Sequence, residues 1–197
     1  MTVERKAEVE RKTKETQIKV ILNVDGSGEF KGSVGVPFFE HMLDLFTKHG
    51  LFDLTIEGKG DLEVDFHHTV EDVGICLGQA FKKALGDKSG IARYGCSFIP
   101  MEETLAQAVI DFCNRPCLVW DVQSKREKIG EYDAELSEEF FRAFAMNSGA
   151  TLHIRLFYGQ NMHHIHEAIF KSCGKSIGEA VRLDPRIKGV LSTKGII

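Results

Sequence analysis

Two short runs carry most of the chemistry this chain can offer. His67-His68-Thr69-Val70-Glu71 and His163-His164-Ile165-His166-Glu167 each set two adjacent imidazoles ahead of a carboxylate. On a helix the first histidine and the glutamate are four residues apart and share a face, and the second histidine is three from the same glutamate. The two imidazoles diverge by roughly a quarter turn, so one helix can serve two metal ions. Two facing runs supply four imidazoles and two carboxylates, a donor set suited to a borderline divalent ion such as Mn, Fe, Co or Zn. A lone histidine pair is more often a surface or packing feature; two copies at one spacing favour metal. The glutamate follows the histidines instead of lying between them, which is not the zincin pattern. No thiolate occurs in either run, which weakens a structural zinc reading.

The elements that must position these runs repeat along the chain. From Lys14-Glu15-Thr16, the residues Ile18, Val20, Leu22 and Val24 alternate as a half-buried strand. Asp25-Gly26 and Gly28 predict a turn, with residues 29–36 returning as a second strand. Pro37 suits a helix start, Phe38, Met42, Leu45, Phe46 and His49 keep helical spacing, and Gly50 is expected to end the helix. Phe52, Leu54 and Ile56 form another strand, and a helix runs from about His67 to Leu85, stopped by Gly86. The second half repeats the order: Glu103-Thr104 opens a strand through Ala106, Ala108, Ile110 and Phe112, with Leu118-Val119-Trp120 as its partner. A helix follows from Leu136 to Asn147, then a strand through Leu152, Ile154 and Leu156, then a helix from about Met162 to Val181. Leu54-Thr55-Ile56 corresponds to Leu152-His153-Ile154, and Phe38-Phe39 and Phe140-Phe141 sit in matching helices. The expected fold is α+β: two strand-strand-helix-strand-helix halves, 1–89 and 90–197, the second including a C-terminal tail. Each half is a small mixed sheet with helices on one face, and the halves pack into one compact unit.

Bulk properties narrow the function. The chain has 197 residues and a net charge of −4, which offers no basic field for a nucleic-acid backbone. No apolar run is long enough to span a bilayer, and the charged N-terminal stretch lacks the apolar core of a signal peptide, so the expectation is cytoplasmic. Five cysteines without CxxC spacing are read as buried reduced thiols. Residues 1–12 carry no assigned element and are open to disorder. The tail from Arg182 to Ile197 has no periodicity and is expected to order around phosphate.

Over nearly its whole length the chain resembles the imidazoleglycerol-phosphate dehydratase family. The likeness rests on Phe38-Phe39-Glu40-His41-Met42-Leu43, Asp65-Phe66-His67-His68-Thr69-Val70-Glu71-Asp72, Arg93-Tyr94-Gly95 and Asn114-Arg115-Pro116. It continues in Thr151-Leu152-His153-Ile154, Gly159-Gln160-Asn161-Met162-His163-His164, Glu167-Ala168-Ile169-Phe170-Lys171 and Ser192-Thr193-Lys194-Gly195. There is no room for the phosphatase domain fused to some members, so the likeness is to the single-function form. It implies two Mn²⁺ per active site (other divalent transition metals being possible) and a homo-oligomer of about 24 chains with the metals between subunits. The implied ligands are His41, His67, His68, Glu71, Glu139, His163, His164 and Glu167. Many members have histidine where this chain has Glu139, and a carboxylate oxygen also suits Mn²⁺. The likeness further implies Glu15 as acid/base and His49 as a substrate contact, with Arg93, Arg115, Lys171, Ser192 and Lys194 holding a phosphate.

The activity so implied is dehydration of imidazole glycerol phosphate to imidazole acetol phosphate in histidine biosynthesis. The expected route binds both substrate imidazole nitrogens to metal, lowers the N–H pKa, and lets the imidazolate expel the adjacent hydroxyl while Glu15 takes a carbon-bound proton. Two other readings stand beside it: a dimetal hydrolase acting on a small phosphorylated substrate, and a non-catalytic metal-binding assembly.

Overall fold

The computed structural model describes residues 4–123 and 127–197. The first half runs β1 (Lys6–Lys12), β2 (Thr16–Asn23), β3 (Glu29–Ser33), α1 (Pro37–Gly50), β4 (Asp53–Gly60) and α2 (His67–Leu85). The second runs β5 (Tyr94–Met101), β6 (Thr104–Asp111), β7 (Cys117–Asp121), β8 (Lys128–Ile129), β9 (Tyr132–Asp133), α3 (Leu136–Ser148), β10 (Thr151–Tyr158) and α4 (Met162–Val181).

Two four-stranded mixed sheets share one plan, β1-β2-β4-β3 and β5-β6-β10-β7, so the α+β duplication read from the sequence holds. Besides the short β8–β9 hairpin, which the sequence did not foretell, three details differ from expectation. Each half has an additional leading strand, β1 or β5. Residues 6–12 are therefore ordered, while residues 1–3 lie outside the described residues. Second, β3 does not return against β2; it pairs in parallel with β4, and β7 likewise with β10. The reason is topological: both edges of β2 are taken by β1 and β4, and a strand–helix–strand crossover through α1 makes its flanking strands parallel. Third, Gly50 is the last residue of α1, but the left-handed turn falls on Leu51 (φ 59°). Gly50 is small for packing: a Cβ there would lie 2.1 Å from the Phe52 ring.

The helices lie against the sheets, α2 over β1 and β2, α4 over β5 and β6, and they also cross between halves, α1 on α4 and α3 on α2. These crossings require glycine. A Cβ on Gly174 would lie 2.2 Å from the Phe46 carbonyl oxygen, and one on Gly78 2.7 Å from that of Phe144. Gly78 and Gly174 stand equally far along their helices from His67 and His163. Counting back equally from Phe144 and Phe46 brings Glu139 and His41 to matching places. Phe38-Phe39 and Phe140-Phe141 lie in the matching helices α1 and α3, as expected, and the same register sets Met42-Leu43 opposite Phe140-Phe141. One continuous apolar core joins the halves, with Phe39 against Phe140 at 5.2 Å and Phe81 against Phe144 at 5.5 Å between ring centroids. Each such buried ring contributes roughly 1.5–3 kcal/mol of transfer free energy.

Cys76, Cys113 and Cys173 are buried and unpaired, whereas Cys96 and Cys117 are exposed, so the expectation of buried thiols holds for three of the five. Cys96 and Cys117 lie on strand faces turned away from the core. Among the described residues no helix is long and apolar enough to cross a membrane.

Candidate metal centre

Both histidine pairs occupy the first turn of a helix, and the same local device fixes both starts. The Asp65 carboxylate accepts from the backbone N–H of His67 at 2.7 Å, and the Asn161 side-chain oxygen accepts from that of His163 at 2.9 Å. Each acceptor lies two residues ahead of its histidine and satisfies a helix-terminal donor.

On α4, His163 and Glu167 share a face as their spacing requires, with Nε2 3.0 Å from Oε1. His41 arrives from α1, its Nε2 also 3.0 Å from Glu167 Oε1. The three potential donor atoms all lie within 4.8 Å of one another. Lys171, one turn further along α4, donates to the other Glu167 oxygen at 2.6 Å. Burial alone would push the Glu167 carboxyl up; hydrogen bonds from Lys171, His41 and His163 outweigh it and bring it down to about 2. The carboxylate is therefore ionised at neutral pH. Two imidazole nitrogens and one carboxylate oxygen, converging with one imidazole at the surface, fit a borderline divalent metal.

The other run is arranged differently. His68 Nδ1 lies 3.0 Å from Asp61 Oδ2, and this hydrogen bond, ahead of the charge of Glu15, raises the His68 pKa. Glu15, in the β1–β2 turn, is exposed and lines a cavity of about 370 Å³ together with Asp61, Lys12 and Lys59. Thr16 beside it is buried and donates to Asp72, which also accepts from Arg11 Nε at 2.8 Å, so the Glu15 turn is tied to the helix carrying Glu71. Glu139 on α3 lies 3.7 Å from Arg142. His164 Nδ1 lies 2.7 Å from Glu103 Oε2, which raises the imidazole pKa, and with Glu102 these form a second group of converging donors.

At the edge of the second sheet, Arg93, Arg115, Ser192 and Lys194 line a cavity of about 880 Å³. Arg93 is buried, forks onto Asp111 at 2.7 and 3.0 Å, and donates to the Leu191 carbonyl at 2.7 Å. The tail is thus held by protein contacts, which include Asn114 on the Ile197 carbonyl at 2.9 Å. Arg115 is open to solvent, 3.8 Å from Asp111.

A family model described as imidazoleglycerol-phosphate dehydratase matches residues 34–177. The chain belongs to the imidazoleglycerol-phosphate dehydratase family. The imidazoleglycerol-phosphate dehydratase of Acetivibrio thermocellus is 57% identical over 195 residues, covering 99% of this chain and 100% of the relative. That of Pelobacter propionicus is 56% identical over 193 residues, covering 98% and 99%. The crystal structure of the Staphylococcus aureus dehydratase superposes with a TM-score of 0.83 at 40% identity, covering 91% of this chain and 99% of that one. The Pyrococcus furiosus dehydratase gives 0.82 at 35% identity, covering 96% and 100%.

For a member of the dehydratase family, the expected site residues are gathered unequally in one chain. His41, His163 and Glu167 meet. His67, His68, Glu71 and Glu139 stay apart from them and do not form one donor group among the described residues. Four of the six expected substrate contacts share the cavity beside Arg93. Lys171 instead holds Glu167, and His49 lies in a smaller cavity with Lys175, its pKa lowered first by burial and then by the charges of Lys171 and Lys175. Sequence reading missed Asp61, Asp72 and Glu103 as partners of the site. The signal for Glu103 was present, since Glu103-Thr104 opens the second half as Glu15-Thr16 opens the first.

Proposed function

We propose that this hydro-lyase dehydrates imidazole glycerol phosphate in histidine biosynthesis using two divalent metal ions, Mn²⁺ by preference, in a homo-oligomer of about 24 chains acting in the cytoplasm. The observation that carries the metal reading is the convergence of His41, His163 and Glu167 from two helices on one point. His67, His68, Glu71, Glu139 and His164 complete the ligand set. Glu139 is supported by the helix register, which gives it the place in the first-half cluster that His41 has in the second. Because one chain does not gather all eight donors, copies of the chain complete the sites for each other.

The bound ions would supply charge that lowers the N–H pKa of the substrate imidazole and so ready the ring to release the neighbouring hydroxyl. The chain's own groups do the rest. Glu15, exposed and held by the Thr16–Asp72 tie, removes the carbon-bound proton, and the resulting enol rearranges to the ketone. Arg115 and Lys194, with Ser192, bind the phosphate dianion. Arg93 shapes that cavity by holding both Asp111 and the tail. Lys171 and His49 contact substrate from the side of Glu167. Contacts remote from the reacting carbons fix orientation.

Incubation with imidazole glycerol phosphate and analysis of the products tests this reading. It requires the ketone with phosphate still attached; release of free phosphate would support a hydrolase instead.

A further inference from the structure

Glu103 spends both carboxylate oxygens at the start of α4. Its Oε1 accepts from the backbone N–H of Asn161 at 2.9 Å, from that of Gln160 at 3.2 Å, and from the Thr104 hydroxyl at 3.1 Å. Its Oε2 is 2.7 Å from Nδ1 of His164. The β5–β6 hairpin is thereby clamped to the first turn of α4. A carboxylate can only accept, so the Nδ1 of His164 carries the proton and its Nε2 carries the free lone pair.

The internal repeat shows what this position is. A Cβ on Gly60 would meet Thr16 and Thr69, and one on Gly159 would meet Thr104 and Ile165. Thr69 and Ile165 each follow a histidine pair, so Thr16 corresponds to Thr104 and Glu15 to Glu103. In the first half the Glu15 carboxylate takes no hydrogen bond among the described residues and remains free for acid/base work. There, the second histidine of the pair is held through Nδ1 by Asp61. In the second half the hairpin glutamate itself takes over that task. Both second histidines thus have a carboxylate on Nδ1, although the carboxylates come from different parts of the fold.

We infer that Glu103 is a positioning residue, which fixes the tautomer and ring direction of His164 so that Nε2 is presented as a metal ligand. The inference rests on the metal reading above. A carboxylate behind a ligating imidazole orients it and raises its basicity, and losing such a partner typically lowers metal affinity about 10- to 100-fold.

A double-mutant cycle on the full chain, stripped of metal and titrated with Mn²⁺ while the resonance signal of free Mn²⁺ is followed, tests it. His164→Ala is expected to weaken binding, and Glu103→Ala to weaken it about 10- to 100-fold. In the His164→Ala background Glu103→Ala is expected to cost nothing more. An equal further loss in that background would show that Glu103 is a ligand or merely supports the fold, and would overturn the inference. Glu103→Gln keeps an oxygen for the chain at Asn161. It is expected to restore the melting temperature of the metal-free protein without restoring affinity; recovery of both would reduce Glu103 to a helix cap. Weakening by His164→Ala with none from Glu103→Ala would overturn the inference alone. Unchanged binding in His164→Ala would remove His164 from the metal reading, and the inference with it.

Discussion

His41 Nε2 and Glu167 Oε1 lie 3.0 Å apart although 126 positions separate them in the chain. The contact exists because α1 of one half crosses α4 of the other at a point where Gly174 leaves room for the Phe46 carbonyl. Packing in the core thus sets the distance between a surface imidazole and a buried carboxylate. The donors on α4 come as a pair from helical spacing alone, but the third comes only from the crossing.

Glu15→Gln should keep the fold and metal content and lose kcat by about 100- to 10,000-fold, the usual contribution of a positioned acid/base. Steady-state kinetics with elemental analysis of the same sample checks this. A near-normal kcat would remove Glu15 from the mechanism.

The duplication, the four helices and most strands were legible in the sequence because their apolar residues keep a period of two or near 3.6. Two of the missed strands, β1 and β5, show where that signal fails. In β1 only Ala7 is buried, so Lys6–Lys12 reads as a charged stretch. In β5 the inward residues begin with Gly95 and Ser97, since α4 lies directly on the strand. A Cβ at Gly95 would come within 1.8 Å of the Ser176 carbonyl oxygen, and Ser97 donates to Ser172. Close packing there replaces the apolar alternation. Of the candidate site, the residue types and the His163–Glu167 spacing were legible. The His41 contact was not, and neither was the Asp61 carboxylate, because these depend on a tertiary crossing and on a loop without period.

Arg115→Ala and Lys194→Ala should each raise KM, by an amount equivalent to roughly 1.5–3 kcal/mol, while leaving Mn²⁺ affinity unchanged. Arg93→Ala should behave differently. It strands Asp111 and frees the Leu191 carbonyl, so it should also lower the melting temperature. Unchanged KM in both exposed variants would mean that the phosphate binds elsewhere.

Glu139→His should keep two metals per active site, because imidazole and carboxylate both suit the ion. Glu139→Ala should weaken or empty one. Metal analysis finding two ions and full activity in the alanine variant would refute the assignment.

The buried Cys76 thiol is pushed up from 9.0 to about 12, first by burial and then by the charge of Asp72. The folded chain therefore holds this proton more tightly than the unfolded chain does. Its contribution to stability is complete below pH 9 and is lost as pH rises toward 12, by an amount on the order of a few kcal/mol at most. Denaturation between pH 8 and 10.5 should show a shallower loss of stability in Cys76→Ala than in the parent; equal slopes would exclude this thiol as a source of alkaline sensitivity.

If two divalent ions and the chain's own acid/base group together dehydrate the substrate, turnover must follow metal loading. The most direct measurement is the rate of ketone formation from imidazole glycerol phosphate as metal-stripped protein is titrated with Mn²⁺, with bound metal counted in the same samples. Without metal no ketone should form, and the rate should rise to a plateau at two ions per active site, phosphate remaining on the product. Full turnover by stripped protein, or free phosphate in place of the ketone, would rule out metal-dependent dehydration.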